Sequence, residues 1–170
     1  MIQEVIDQTT IESILEQHKL WISSNERSGT RAVLTNKNLT GLDLSGLNLT
    51  AIDLSHSNLN QVNLTNTTLN YADISRATLI GSNLTKAKLQ RSFAVHADLS
   101  NAILFQADIR RSNWGYTVLK NADLKEVNFT QTTLQGANLQ NADLEKTKLI
   151  STDLSKAILI NTNIEKAYLI

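Results

Sequence analysis

The chain has 170 residues, 16 Lys plus Arg against 16 Asp plus Glu, and neither Cys nor Pro. A single domain's worth of chain with zero formal net charge is not built to displace counterions from a polyphosphate, which argues against a general nucleic-acid binder. The missing Cys excludes disulfides, thiolate metal sites and cysteine nucleophiles. No apolar run approaches the roughly 20 residues of a membrane span. MIQEVIDQTT offers neither a basic nor an apolar leader region, so the expectation is a cytoplasmic protein with no signal peptide and no membrane association.

The N-terminal segment, residues 1–31, stands apart from the rest. Thr9-x-x-Glu12 reads as a capping box. Ile11, Ile14, Leu15, His18, Trp21 and Ile22 follow at helical spacing, which predicts an amphipathic helix over about 10–23. Ser24–Gly29 then forms a loop.

From Leu34 onward every residue whose number ends in 4 or 9 is of one kind. Of these 28 centres, 22 are Leu, three Ile and one Phe (Phe129); only Ala94 and Trp114 depart. Two residues before each centre, 24 of 28 positions hold Ala, Ser, Thr or Val, and Asp or Asn dominates between them. The unit is A-(D/N)-L-x-x, as in Ala72-Asp73-Ile74 and Ala142-Asp143-Leu144, without insertion or deletion. A period of five matches neither a helical stripe nor strand alternation. Two residues in five face inward, three outward, and the chain turns once per repeat. The result is a solenoid whose coils pair through their backbones about 4.8 Å apart.

This run resembles the pentapeptide-repeat family over roughly residues 32–170. The resemblance implies an all-β solenoid, a right-handed quadrilateral β-helix of 20 residues per coil, with an N-terminal α-helical cap. About seven coils would follow (32–51, 52–71, 72–91, 92–111, 112–131, 132–151 and 152–170), a stack about 34 Å tall. Residues 20 apart then lie above one another. Ala94 and Trp114 share a column one coil apart, so a small side chain beside a large one conserves core volume. Asn101, Asn121, Asn141 and Asn161 form an amide ladder. Lys125 lies over Glu145 and Glu126 over Lys146, a self-neutralised solvent face. Near the N-terminal end Leu42, Leu47 and Ile52 replace the small inward residue, which suits a helix lying over that end. The segment Leu15–Trp21 resembles a leader of some bacterial pentapeptide-repeat proteins.

No catalytic constellation emerges. His56 and His96 fall on one corner two coils apart, about 10 Å, too far to share a metal. Asp53, His56 and Ser57 are neighbours in sequence, but Asp53 points out and Ser57 in, which is no triad. His18 belongs to the apolar helix face. Neither metal nor cofactor is expected, and the family resemblance implies a non-enzymatic protein.

Two regions are candidate surfaces. The first is Arg91, Phe93, Val95, His96, Phe105, Arg110 and Arg111, with Ile103 and Tyr116 nearby and six basic residues against two acidic between Arg76 and Arg111. Exposed aromatics rimmed by Arg suit an interaction patch; the competing reading is a packing adjustment around Ala94, with Phe93 or Trp114 covering the gap. The second is the apolar set Ile150, Ile158, Ile160, Tyr168 and Ile170, which suits a homodimer through the C-terminal coil or, alternatively, a plug made by Tyr168 and Ile170.

The function expected is a non-enzymatic structural or protein–protein interaction module with an unidentified protein partner. The alternative implied by the resemblance is a DNA-mimicking inhibitor of a type II topoisomerase. Mimicry needs columns of negative charge, whereas the repeats hold 11 acidic and 13 basic residues. Direct contact with nucleic acid is not expected.

Overall fold

The five-residue period originates in the corners of the chain. A computed structural model describes residues 3–169. In it, every residue whose number ends in 1 or 6, from Asn36 to Asn161, has φ between 52° and 73°. These are the third residues of four-residue turns, where left-handed backbone reverses the chain. None is Val, Ile or Thr, although the position just before holds Thr50, Ile80, Val95 and Ile150. A branched Cβ is the side chain least compatible with positive φ.

Between corners run short extended pieces. β-Bridges join residues 20 apart in four parallel ladders, beginning Val33↔Asp53, Asn38↔Asn58, Asp43↔Asn63 and Asn48↔Thr68. The molecule is therefore a four-sided parallel β-helix, and its faces are numbered first to fourth in that order.

One repeat shows why it is stable. Leu59 and Gln61 donate their N–H groups to Thr78 and Ile80 of the next rung, at 2.7 and 3.0 Å, and Asn58 donates back to Lys37 at 2.9 Å. Val62 closes the corner onto Leu59 at 3.2 Å. The fifth N–H, that of Asn60, goes to the Asn58 side chain at 3.1 Å. All five donors have acceptors, as buried or half-buried backbone requires. The recurrent Asp or Asn before each centre is thus a structural acceptor. The same bond, from Ser45 to Asp43 and from Ser155 to Asp153, holds both carboxyls below their ordinary range. Inward Thr residues do similar work: the Thr67 and Thr132 hydroxyls donate to carbonyls of the preceding rung.

The centres fill the bore. The Leu, Ile and Phe centres from Leu34 to Leu149 are buried, as are the alternating small residues. The amide ladder forms as expected, with Asn–Asn contacts of 3.0–3.1 Å from Asn101 to Asn161. Glu126 pairs with Lys146. Lys125 turns instead to Asp123 and Asp143, whose carboxylates project from the adjoining face nearer to it than Glu145.

At the N-terminal end, β1 (Glu4–Val5) pairs parallel with β2 (Lys37–Asn38) and so covers the first free edge of the second face. Helix α1 (Gln8–Ser23) follows. It starts two residues earlier than its apolar spacing suggests, because Asp7 rather than Thr9 is the N-cap, accepting the Thr10 N–H at 2.7 Å. The Thr9–Glu12 capping box is not made; Glu12 takes a bond from Gln8. Ile6 and Ile11 join the solenoid core. Gly29 runs so close to α1 that a Cβ there would lie 2.3 Å from the Gln17 carbonyl oxygen. Leu42 and Ile52 point inward, but Leu47 is exposed, turned toward α1, where it lines a recess with Leu15 and Lys19.

His18 sits at the junction of helix and first rung. It is fully buried, stacks on Trp21 at 5.6 Å, and accepts the Ala32 N–H on Nδ1 at 3.1 Å. Nδ1 must therefore be unprotonated. Nε2 carries the proton and has no hydrogen-bond partner. Burial, reinforced by the Arg31 charge, lowers its pKa.

At the other end the regular corner fails after Asn161. Residues Ile164–Lys166 form a 3-10 turn, and the Asn163 side chain replaces the ladder carbonyl for Leu144 N–H, at 2.6 Å. The ladder resumes at Lys148↔Tyr168. Among the described residues no helix is long and apolar enough to cross a membrane.

Two predictions follow from these contacts. Lys86 occupies a positive-φ corner at φ 57°. Lys86→Val should cost about 1–2 kcal/mol in denaturant titration, whereas Lys86→Gly should be close to neutral. For His18 the folded pKa is depressed, so the unfolded chain binds the extra proton. Stability is then full above the unfolded value of about 6.5 and falls as the pH drops below it. Denaturation midpoints between about pH 7.5 and pH 5 should decline in the parent and decline less in His18→Gln.

Candidate interaction surface

Ala94 and Trp114 occupy successive rungs of the first face, both fully buried. The Trp114 ring meets Phe129 edge-on at 6.1 Å. A buried indole N–H needs an acceptor, and the sequence supplies it at the small inward positions. Trp114 Nε1 donates to Ser92 Oγ at 3.0 Å, and Ser112 Oγ donates to the Leu89 carbonyl at 2.8 Å while accepting the Ser92 N–H. The volume exchange expected of Ala94 and Trp114 is present, and a buried hydroxyl chain that sequence reasoning missed accompanies it. Its signal was available: the small residues two before Ala94 and Trp114, Ser92 and Ser112, are both hydroxyl residues and lie one coil apart.

Trp114 fills the gap, so Phe93 is free of it. Phe93 is 49% exposed on the first face. On one flanking corner Tyr71 (51% exposed) lies under Arg91, whose guanidinium stands 5.6 Å over the ring and donates to Tyr71 Oη at 3.2 Å. Arg111, one rung on, donates from Nε to Gln131 at 2.9 Å. On the other flanking corner His96 stacks on Tyr116 at 5.1 Å. Tyr116 can lie there because the next corner residue is Gly136; a Cβ on Gly136 would come within 2.7 Å of the ring. Tyr71, Arg91, Phe93, Arg111, Asn113 and Gln131 line one shallow groove.

The predicted patch is thus partly assembled and partly divided. Arg91, Phe93, Val95, His96 and Arg111 share the first face and its corners. Phe105 does not join them: the 20-residue coil places it on the corner between the third and fourth faces, and Ile103 on the third face, opposite Phe93. Arg110 is half-exposed but engaged, forming a bidentate pair with Asp108 at 2.8 and 2.7 Å. Burial works to raise the Asp108 pKa, but bonds from Arg110 and Gln90 outweigh it and hold the carboxyl below its ordinary range. Arg91 and Arg111 have no carboxylate partner among the described residues.

Phe93 also breaks the local rule of the fold. Its position in the first ladder reads Asp53, Asp73, Phe93, Asn113, Thr133, Asp153. Asp53, Asp73, Asn113 and Asp153 each accept the N–H two residues on. Phe93 has no oxygen to offer Val95, and Ile103 has none for Phe105.

Of the C-terminal set, Ile158, Ile160 and Tyr168 are exposed and Ile150 is half-buried; Ile170 lies outside the described residues. Tyr168 is not a plug: it pairs with Lys148 on the fourth face and is 53% exposed. The remaining triad and metal candidates stay apart. Asp53 caps Ser55, Ser57 is buried on backbone, and His56 is an exposed corner residue.

The buried chain gives a third prediction. Trp114→Ala should cost about 3–5 kcal/mol. Ser92→Ala, which orphans the indole N–H, should cost about 1–3 kcal/mol in the same titration.

A search of curated proteins found no match. Among solved structures, the chain resembles the pentapeptide repeat protein Rfr23 from the cyanobacterium Cyanothece 51142, at 20% identity, covering 94% of this chain and 99% of that one, TM-score 0.42. It also resembles HetL of Nostoc sp. strain PCC 7120, a pentapeptide repeat protein involved in heterocyst differentiation regulation, at 23% identity over 90% and 94% of the two chains, TM-score 0.26. A third is QnrB1, a plasmid-mediated fluoroquinolone resistance protein, at 15% identity over 83% and 85%, TM-score 0.36. The family model for pentapeptide repeats matches eight copies, over residues 30–60, 48–85, 82–113, 102–141 and 137–170. With that match spanning the whole A-(D/N)-L-x-x run, the chain belongs to the pentapeptide-repeat family.

Proposed function

We propose that the protein is a non-enzymatic interaction module that binds a protein partner on its first face. The observation that carries this is Phe93. A fold that wants Asp or Asn at this position carries an exposed aromatic there, next to two unneutralised Arg residues. Positions where a sequence departs from what its own fold prefers are those where function is to be sought. The surface is rigid, because each side chain stands on a hydrogen-bonded rung, and rigidity lowers the entropic cost of binding. In the same reading α1 caps the first rung, as the burial of Ile11 and His18 supports.

A DNA-mimicking inhibitor fits less well. Mimicry needs uninterrupted columns of carboxylates, and the first ladder is broken by Phe93, Asn113 and Thr133.

The test uses two matched variants. Phe93→Asn and Ile103→Asn each restore the missing acceptor, on opposite faces. Both should gain up to about 1 kcal/mol of stability, the net worth of one such bond. Only Phe93→Asn should lose partner proteins recovered by the immobilised protein from an extract of its own source. Equal recovery by both variants would remove the first face from consideration.

A further inference from the structure

Among the described residues, none of the charged groups of the first ladder and of the positive-φ positions at its corners forms an ion pair, and of these Arg91 and Arg111 alone are like charges on successive rungs of one corner. Arg91 and Arg111 occupy the same corner on successive rungs, with Arg91 N–H bonded to the Arg110 carbonyl at 3.0 Å. Their backbones are therefore about 4.8 Å apart along the axis of the solenoid. Each guanidinium is held at one point, Arg91 on Tyr71 and Arg111 on Gln131. An Arg has five N–H donors, so both keep most of theirs for a ligand. Phe93 lies beside this pair and is half-exposed.

We propose that this groove receives an acidic amphipathic α-helix of a partner protein, lying along the solenoid axis, with two carboxylates three or four residues apart on Arg91 and Arg111 and an apolar residue on Phe93. This rests on reading the first face as the binding surface. The backbone spacing of the two Arg corners favours a helix. Side chains at i and i+3 or i+4 of a helix stand about 5–6 Å apart, close to one rung. Same-side side chains of an extended strand stand about 6.7 Å apart, and those of a polyproline helix about 9 Å; neither keeps register with two adjacent rungs. Charge selects a short acidic stripe over a polyphosphate. Asp53 and Asp73 stand on the same ladder before Phe93, and Asp153 stands beyond Thr133. A long polyanion would run into these carboxylates, whereas two turns of helix need not.

The experiment is a selection from a helical peptide library displayed on an Ala-rich scaffold with one randomised face, against the full chain. Arg91→Asn plus Arg111→Asn is the first comparison protein, since Asn tolerates positive φ, and Phe93→Asn is the second; a cooperative melt with a midpoint no lower than the parent's confirms that both are folded. The expected result is enrichment of Asp or Glu pairs spaced three or four apart beside an apolar residue, with binding of the selected peptides weakened about tenfold or more in each variant. Peptides that need Phe93 but show no acidic pair and ignore the Arg substitutions would overturn the acidic helix and leave the first face as the binding surface. Peptides indifferent to both variants, or no enrichment, would overturn the acidic helix and count against the face itself. Arg-dependent binding of a labelled DNA duplex tighter than that of the best peptide would also overturn it, in favour of a polyphosphate ligand.

Discussion

Everything in this molecule depends on a backbone donor that has nowhere to go. A chain that turns every five residues gives four of its five N–H groups to neighbouring rungs or to the turn itself. The fifth, just after the centre, points along the corner and finds no carbonyl. In repeat after repeat the oxygen of an Asp or Asn two residues earlier accepts it, as Asn58 does for Asn60. The most frequent outward residue of the repeat is thus as structural as the Leu it precedes. Leaving a half-buried N–H unsatisfied has a cost on the order of 1–3 kcal/mol, which is enough to favour the acceptor at most turns.

That requirement also explains how far the sequence could be read. The five-residue period, the 20-residue coil, the volume exchange between Ala94 and Trp114 and the amide ladder were all legible, because each repeats or compensates along a column. The helix was legible from its apolar spacing. Its cap was not, because Asp7 and Thr9 are both good N-cap residues and only the path of the preceding strand, pairing Val5 with Asn38, decides between them. The positive-φ corner left a signal that is easy to pass over: branched residues are absent at numbers ending in 1 or 6 and common one position earlier. Phe105 was grouped with Phe93 because they are near in sequence. Twelve residues is more than half a coil, so the chain carries them to different sides.

The same logic separates ordinary irregularity from a candidate site. Leu42 and Ile52 depart from the repeat, but they fill space beneath α1 and are explained by packing. Trp114 departs and is explained by Ala94, Ser92 and Ser112. Lys88 lacks the acceptor oxygen too, yet Gln90 N–H is taken by Asn70 of the rung before, at 3.0 Å. Ile80 N–H is rescued likewise by Asn60. Phe93 has no such neighbour, since the residue 20 before Val95 is Ser75, a lack it shares with Ile103, Val118 and Lys148; what sets it apart is an exposed ring in the groove that Arg91 and Arg111 also line. Its cost to the fold stands without compensation in the core or the ladder.

A solenoid also constrains what such a face can recognise. Its side chains are spaced by the rung, about 4.8 Å, and cannot be adjusted without breaking the ladder. Specificity is then written in which rungs carry which groups, as in a ruler with a few marked divisions. On the first ladder and the corner that carries Arg91 the marks are few: Asp53 and Asp73, then Arg91 with Phe93, then Arg111, then neutral residues until Asp153. A partner must place negative charge over two adjacent rungs and avoid it over the Asp73 rung that precedes them. The chain as a whole carries no net charge. That leaves long-range steering weak, so affinity must come from the contacts at Phe93, Arg91 and Arg111, where two fixed guanidiniums and one half-exposed ring are already in position before any partner arrives.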